Sequence, residues 1–340
     1  MRTMMDRAAG MRLDGGREQA AFTRCSTRIW AFVAAVFAVC GVILAASSIQ
    51  LHVSKVPLQL ASVAVFLPLA LIYARWRFDP KLASFCDAMA VGSAFILVGA
   101  PMTYIATWAG SSIEFWDARF LAMDQAVGLD WLGYLAFVDE RPFFGLLLDY
   151  AYRSLLVQQI ALVCALTLLG QYARLQVYLL AFMLGLVLCA VGAALVPALG
   201  IYSYLAVDAL THHPNFAIAT MNEHVSHTLR MRGPDPVISL DALSGIIVFP
   251  SFHMALAILF TWGFWRVPVV RWAALGLNAL MTAATPLSGG HYFVDLLAGA
   301  AVALLSLAGA RWLLGGVSGT RVFFRNRTLA HGVAPSTAAG

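Results

Sequence analysis

Long uncharged apolar runs recur along nearly the whole chain, and they constrain the fold more than any other feature. Hydrophobic residues make up 61 % of the 340 residues and charged residues 11 %, against about 45–50 % and about 25 % in soluble globular proteins. A helix inside a bilayer satisfies its own backbone hydrogen bonds, so such runs favour membrane helices. The sequence therefore predicts an all-α, polytopic transmembrane bundle. It excludes a soluble enzyme, a nucleic-acid-binding protein and a secreted disulfide-linked domain.

Eight apolar segments have lengths suited to a membrane crossing, and a count of seven is the alternative. We expect the first segment to be an uncleaved helix, with a cleavable signal peptide as the alternative. The eight segments are 29–49, 56–73, 83–106, 144–169, 177–199, 251–265, 269–285 and 292–314.

Arginine and tryptophan positions orient these segments. Cytoplasmic loops collect Arg and Lys, and Trp concentrates at membrane interfaces. Placing both termini inside puts most of the 22 basic residues on the inner side and acids such as Glu114 and Asp117 outside. We therefore predict that both termini are cytoplasmic. The short loops and the Arg-rich N-terminus are typical of a bacterial inner membrane, and a eukaryotic Golgi or ER membrane is the alternative.

This topology divides the chain into four parts. They are an Arg-rich cytoplasmic tail (1–28), three spans with an extracytoplasmic amphipathic segment (29–142), a catalytic membrane domain (143–315) and a cytoplasmic tail (316–340). The amphipathic segment predicts a helix lying on the membrane surface. Within the catalytic domain, residues 200–249 form a long polar connection without a strong period, which suits a lid over a site.

Two short polar motifs open the sixth and eighth predicted spans, both on the outer side: 249–253 (FPSFH) and 289–295 (GGHYFVD). Each motif places a histidine near a helix N-terminus, where free backbone N–H groups and the helix dipole favour an anion such as phosphate. His291 and Asp295 are four residues apart and share a helix face, so the carboxylate can orient the imidazole. His253 can then supply a proton. The alternative is that each histidine only caps its helix.

The same motifs resemble the catalytic motifs of the type 2 phosphatidic acid phosphatase superfamily. The closer likeness is to its inositol phosphorylceramide synthase branch, which has P-S-x-H and H-Y-x-V-D patterns; the stretch 149–154 leading into Gln158 is also similar. The resemblance implies that His291 becomes a phosphohistidine, Asp295 orients it, and His253 protonates the leaving alkoxide. A second alcohol or water then takes the phosphoryl group. The implied reaction needs neither a metal nor an organic cofactor.

The chain departs from the phosphatases of that superfamily in its arginines. Thr285 stands where they have an Arg six residues before the histidine, and 140–142 (ERP) retains only the Arg-Pro end of their Lys-x6-Arg-Pro motif. Phosphoryl transfer needs positive charge around the phosphate, so we predict that Arg153 replaces the missing clamp. An interfacial Arg or a salt bridge to Asp149 is the alternative. The other predicted phosphate contacts are Ser251, Gly290 and Tyr292, and further candidates are Arg141, Tyr152 and Gln158.

These features predict a membrane phosphotransferase that works on the extracytoplasmic face. Its donor would be a lipid with a phosphoryl-headgroup, inositol phosphate if the resemblance holds, and its acceptor a small or lipid alcohol. The first alternative is a lipid phosphate or polyprenyl pyrophosphate phosphatase, with water as the acceptor. A transporter would place ionisable residues at midplane depth in several spans, whereas here they cluster at one face. A non-catalytic lipid-binding protein is a further alternative.

The connection 200–249 also contains four histidines, which raise the question of a metal site. Zinc sites usually have at least three protein ligands, and no third ligand stands at a diagnostic spacing. We therefore favour a solvated loop over a zinc site and predict no metal. The four residues are His212, His213, His224 and His227.

Overall fold

The computed structural model describes residues 2–53, 58–207, 218–240 and 245–315, with side chains from residue 16 in the first range and from residue 224 in the third. Within these residues the architecture is all-α, as predicted, apart from two short strands. A five-residue π-helical turn (Ile72–Trp76) extends the second helix. The helices are α1 (Arg2–Ala46), α2 (Leu58–Leu71), α3 (Pro80–Ala109), α4 (Asp117–Ala126), α5 (Trp131–Asp139), α6 (Pro142–Arg153), α7 (Leu155–Leu168), α8 (Tyr172–Leu195), α9 (Ile201–Tyr204), α10 (Ile218–Met231), α11 (Phe252–Phe264), α12 (Val270–Ser288) and α13 (Phe293–Gly315).

The two strands, β1 (Gln50–His52) and β2 (Val237–Ser239), pair in parallel with Leu51 opposite Ile238. They tie the chain after α1 to the segment that precedes α11. Together with α9 and α10, β2 gives regular structure to a connection that the sequence analysis treated as irregular. The remaining residues of that connection, 208–217 and 241–244, lie outside the described residues, as does the predicted cytoplasmic tail 316–340.

Five helical segments in the described chain are long and apolar enough to cross a membrane, and a bent helix pair makes six if it counts as one span. The prediction of eight spans is therefore not confirmed. Helix α11 shows one reason: its 13 residues extend about 20 Å, less than the hydrocarbon core of about 30 Å. Hydropathy does not distinguish a short apolar helix from a full crossing. The five segments are Gly16–Ala46, Leu58–Trp76, Pro80–Ala109, Tyr172–Leu195 and Phe293–Gly315.

The bent pair is α6 and α7, which the sequence analysis treated as one continuous span. The chain breaks at Ser154, and the two helix axes differ by 52°. The Ser154 hydroxyl donates to the Ala151 carbonyl at 2.6 Å, so a side chain occupies an acceptor at the end of α6. The break leaves Tyr152 and Arg153 at the junction of two helices.

The amphipathic segment forms two helices, α4 and α5, and their apolar sides pack on protein. Phe120 of α4 is 3 % exposed and Trp131 of α5 is 1 % exposed. Both belong to a small hydrophobic cluster that also contains Leu287 and Tyr292, next to the second sequence motif. These helices therefore cover the motif, and contact of their outer sides with a membrane surface stays a prediction.

A larger hydrophobic core is built mainly from α1, α3, α7, α8, α11 and α13. Close helix contacts hold the first motif in this core. A Cβ at Gly192 of α8 would lie 2.4 Å from Pro250 Cδ, and a Cβ at Gly299 of α13 would lie 2.3 Å from the Ser251 carbonyl oxygen. Only glycine permits these approaches, so the turn before α11 is fixed between α8 and α13.

Candidate active site

The first motif ends in the N-cap of α11. The Ser251 hydroxyl accepts from the Met254 N–H at 3.3 Å, which satisfies one of the free donors at the helix start. The Ser251 N–H donates to the Asp295 carbonyl at 3.2 Å. The cap of α11 is thereby bonded to the first turn of α13, so the two sequence motifs are neighbours in space.

The second motif brings His291 and Asp295 together, as their spacing predicted. His291 Nδ1 lies 3.2 Å from Asp295 Oδ2, and the side chains are 5 % and 0 % exposed. His291 stands two residues before α13, and Asp295 lies in its first turn. The same carboxylate oxygen accepts from the Tyr292 N–H at 3.0 Å. Asp295 therefore fixes both the imidazole and the backbone beside it.

Burial sets the protonation of His291. Desolvation lowers the pKa of His291 to about 4, and a hydrogen bond to the Val248 carbonyl acts in the opposite direction. The imidazole is therefore neutral at pH 7. Its other ring nitrogen, Nε2, lies 3.4 Å from the Ser251 hydroxyl.

His253 lies at the same place, at the start of α11. Its ring stacks on Tyr152, with the centroids 4.0 Å apart and the planes 13° apart. A Cβ at Gly289 would lie 2.5 Å from His291 Cδ2 and 2.9 Å from the Tyr152 hydroxyl. Tyr152 thus reaches from His253 towards His291, and the two imidazoles are close enough for their charges to interact.

Two carboxylates of α4 hold the second motif in place. They were not among the site residues predicted from the sequence. Asp124 accepts from the N–H groups of Phe293 and Val294 at 2.8 and 2.9 Å and so caps α13. Asp117 accepts from the Tyr292 hydroxyl at 2.8 Å and from the Leu199 and Gly200 N–H groups. Their seven-residue spacing, two turns of one helix face, was the available signal.

Burial explains the electrostatics of these groups. Desolvation raises the pKa of Asp124, and its two backbone hydrogen bonds partly offset that rise. The pKa of the Tyr292 phenol is raised by burial and then by the negative charge of Asp117. The Tyr292 hydroxyl therefore stays protonated and donates to Asp117.

These bonds correct one expectation about phosphate binding. We expected free N–H groups at the start of α13, but Asp124 and Asp295 already accept from those of Tyr292, Phe293 and Val294. A carboxylate cap also offsets the positive end of the helix dipole. A phosphate role for Tyr292 stays a prediction, because its N–H and hydroxyl are both engaged.

Gly290 has a structural reason for being glycine. Its φ is +63°, a region that side-chain-bearing residues rarely adopt. Its carbonyl accepts from the Ile201 N–H at 3.2 Å, which links the turn to α9. The predicted phosphate contacts from Gly290 and Ser251 stay predictions.

The two arginines predicted to bind phosphate each form a salt bridge with a carboxylate nearby in the sequence. Arg153 Nε donates to Asp149 at 2.7 Å, the contact named as its alternative role, and the Arg153 side chain is 58 % exposed. Arg141 pairs with Glu140 at 3.2 Å and lies over the Phe137 ring. Phosphate binding by either arginine stays a prediction. Thr285, at the position of the missing arginine, donates to the Met281 carbonyl.

Gln158 joins two helices. Its amide nitrogen donates to the Ser154 hydroxyl, and its oxygen accepts from Asn278 of α12, both at 2.9 Å. Gln158 is 4 % exposed. Its amide thus links α7 to α12, and substrate contact from it stays a prediction.

Two of the four histidines of the connection 200–249 lie among the described residues, and each contacts a different part of the protein. His227 packs edge-on against Tyr104 of α3, and His224 is close enough to His253 for their charges to interact. His212 and His213 lie outside the described residues. Within the described ranges, no group of three or more His, Cys, Asp or Glu residues is arranged to hold a metal ion.

Comparison with known proteins gives one family. A family model described as the PAP2 superfamily matches residues 118–309, more than half of the chain. The match runs from α4 into α13 and includes both histidine motifs, Tyr152 and Asp124. Comparisons with curated proteins and with solved structures give no match.

Proposed function

The chain belongs to the PAP2 superfamily, and from this premise we propose that it is a membrane phosphotransferase that moves a phosphoryl-headgroup from a lipid donor to an alcohol acceptor. Members of the superfamily are generally phosphatases or phosphotransferases. In the described part of the chain, five or six apolar helices are long enough to span a membrane, which supports a substrate that is itself a lipid. The observation that carries the proposal is the buried contact between His291 and Asp295 beside His253.

In the first step, His291 attacks the phosphorus. Its Nδ1–H donates to Asp295, which leaves the Nε2 lone pair as the nucleophile. A P–N bond forms, the bond from phosphorus to the leaving oxygen breaks, and His253 gives its proton to that oxygen. Asp295 stabilises the positive charge that develops on the imidazole.

In the second step, the acceptor alcohol attacks the phosphohistidine. The alcohol oxygen bonds to phosphorus, its proton returns to His253, and the P–N bond breaks. Water in place of the alcohol gives hydrolysis, so a lipid phosphate or polyprenyl pyrophosphate phosphatase is the second candidate. Thr285 favours transfer to an alcohol over hydrolysis, because the phosphatases that the motifs resemble have an arginine at this position.

The headgroup and the side of the membrane are inferred from the motif resemblance and from the distribution of arginines. An inositol phosphate headgroup follows from the likeness of the two motifs to the inositol phosphorylceramide synthase branch. Arginine distribution supports a bacterial inner membrane with the histidines on the extracytoplasmic face.

The test is a defined-lipid assay with the purified full chain in liposomes. Radiolabelled phosphatidylinositol and phosphatidic acid are supplied with and without alcohol acceptors to the parent, to His291→Ala and to His52→Ala, which changes an exposed histidine of β1. A new labelled lipid that requires both acceptor and His291 supports transfer, and free phosphate that requires His291 supports hydrolysis. Equal products from the parent and His291→Ala would refute the mechanism.

A further inference from the structure

A groove runs between α11 and α12, the two helices that lie between the histidine motifs. Its volume is about 400 Å³, within the range of about 300–1,000 Å³ that is typical of sites for small molecules. The α11 side presents Ile258 and Trp262, and the α12 side presents Leu275 and Ala279. Its walls are therefore mainly apolar.

The hydroxyl and amide donors in the groove are already used within the protein. The hydroxyls of Thr261 and Thr282 donate to carbonyls four residues earlier, at 2.8 and 2.9 Å. Both N–H groups of Asn278 are also used, one by Gln158 and one by the Ala274 carbonyl. A polar or anionic ligand would lose its hydration here without gaining hydrogen bonds from these hydroxyl and amide donors, so the groove suits an apolar occupant.

One end of the groove adjoins the histidines. Met254 follows His253 directly, and its sulfur lies 3.5 Å from the Thr282 hydroxyl oxygen of the groove. Ala257, which also lines the groove, is one helical turn from His253 on the same side of α11. A molecule in this groove therefore has one end about a turn away from the reacting centre.

The other end is formed by Trp265. It lies twelve residues from His253, which corresponds to about 18 Å along the helix axis. Trp265 is 45 % exposed and packs edge-on against Trp272 of α12, with ring centroids 5.7 Å apart. Trp265 lines the groove and Trp272 packs against it, so this pair marks the end of the groove that is farther from His253.

We infer that the groove between α11 and α12 holds the apolar tail of the phosphorylated lipid substrate while its phosphoryl group lies at His291. This inference rests on the proposed function. The tail supplies binding energy away from the reacting atoms, and the bulk of Trp265 limits the chain length that fits.

The test compares donors that differ only in their tails. Phosphatidylinositol and phosphatidic acid are each assayed with dioleoyl and with dihexanoyl chains, and the ratio of kcat/KM for the long chain to that for the short chain is measured. Ala279→Trp fills the groove from an exposed position, and we expect this ratio to fall about tenfold or more. Trp265→Ala opens the far end, and we expect the preferred chain length to increase.

The matched control is Ala301→Trp, which adds the same bulk at an exposed position of α13 outside the groove. It should leave the ratio as in the parent. A ratio unchanged by Ala279→Trp in an active protein would overturn the groove assignment. A parent that turns over neither chain length, with any acceptor, would instead overturn the proposed function.

A binding measurement tests the groove assignment separately from the proposed function. Phosphatidic acid with a photoreactive group in its acyl chain is crosslinked to His291→Ala protein, which does not need to turn over. Labels on peptides from α11 and α12, reduced by Ala279→Trp, support the groove. Labels confined to other helices refute it.

Discussion

The cap that Asp124 places on α13 allows a specific test of how the motif is held. Asp124 is 1 % exposed, and its two oxygens accept from the Phe293 and Val294 N–H groups at 2.8 and 2.9 Å. In Asp124→Ala both donors lose their partner at the start of the helix that carries Asp295. The substitution therefore perturbs the geometry of the dyad without touching His291 or Asp295.

The size of the effect follows from these two bonds. Loss of an N-cap side chain costs about 0.5–2 kcal/mol of stability, and burial puts Asp124→Ala in the upper half of that range. Catalysis is more sensitive, because a displacement of about 1 Å in a catalytic group lowers a rate by about 100-fold. We expect Asp124→Ala to lower kcat by about 10- to 100-fold, with a much smaller change in KM.

The assay measures kcat, KM and the thermal unfolding midpoint for Asp124→Ala and Asp124→Asn. Asparagine caps helices about as well as aspartate, so Asp124→Asn should recover most of the rate. The matched control is Asp130→Ala, because Asp130 is an exposed aspartate at the N-cap of α5 whose side chain makes no capping bond. Parent-like kcat in Asp124→Ala would refute the positioning role. Equal loss in Asp124→Asn would show that charge, rather than hydrogen bonding, is what matters.

Three further predictions concern the histidines. Burial lowers the pKa of His291 to about 4, so protonation of His291 should leave kcat/KM of the parent almost unchanged between pH 7 and 5. The value of kcat/KM should then fall as the pH drops through about 4. A pH–rate profile in which the nucleophile is already lost near pH 6.5 would contradict this. Gly289→Ala should abolish most activity, since its Cβ would lie 2.5 Å from His291 Cδ2 and 2.7 Å from the Thr285 carbonyl oxygen, whereas Gly276→Ala, with open space around it, should match the parent. Tyr152→Phe should keep the ring stacked on His253 and retain activity within about threefold, whereas Tyr152→Ala should lose about tenfold; equal kcat/KM for the two variants would show that the ring does not position His253.

The sequence by itself predicted the helical membrane architecture and the central dyad. Apolar runs with few charges have no stable alternative to membrane helices, so the fold class follows from composition. The contact between His291 and Asp295 follows from their spacing of four residues at the start of a helix.

The pattern of apolar residues did not predict how many helices are long enough to cross a membrane. The apolar run 144–169 reads as one helix, yet the chain bends by 52° at Ser154. The bend depends on packing around Tyr152 and Gln158, whose partners His253 and Asn278 lie more than 100 residues further along the chain. A hydropathy average does not detect such a break, because it reports how apolar a segment is and not the direction of the helix axis.

The tertiary structure alone decided what holds the site in place. Asp124 lies 169 residues before Phe293, and Asp117 lies 175 residues before Tyr292. No periodicity connects residues at such separations, because a hydrogen bond across the fold depends on how whole helices pack. The sequence therefore identifies the reacting groups through their short-range pattern, whereas their orientation comes from carboxylates on a distant helix.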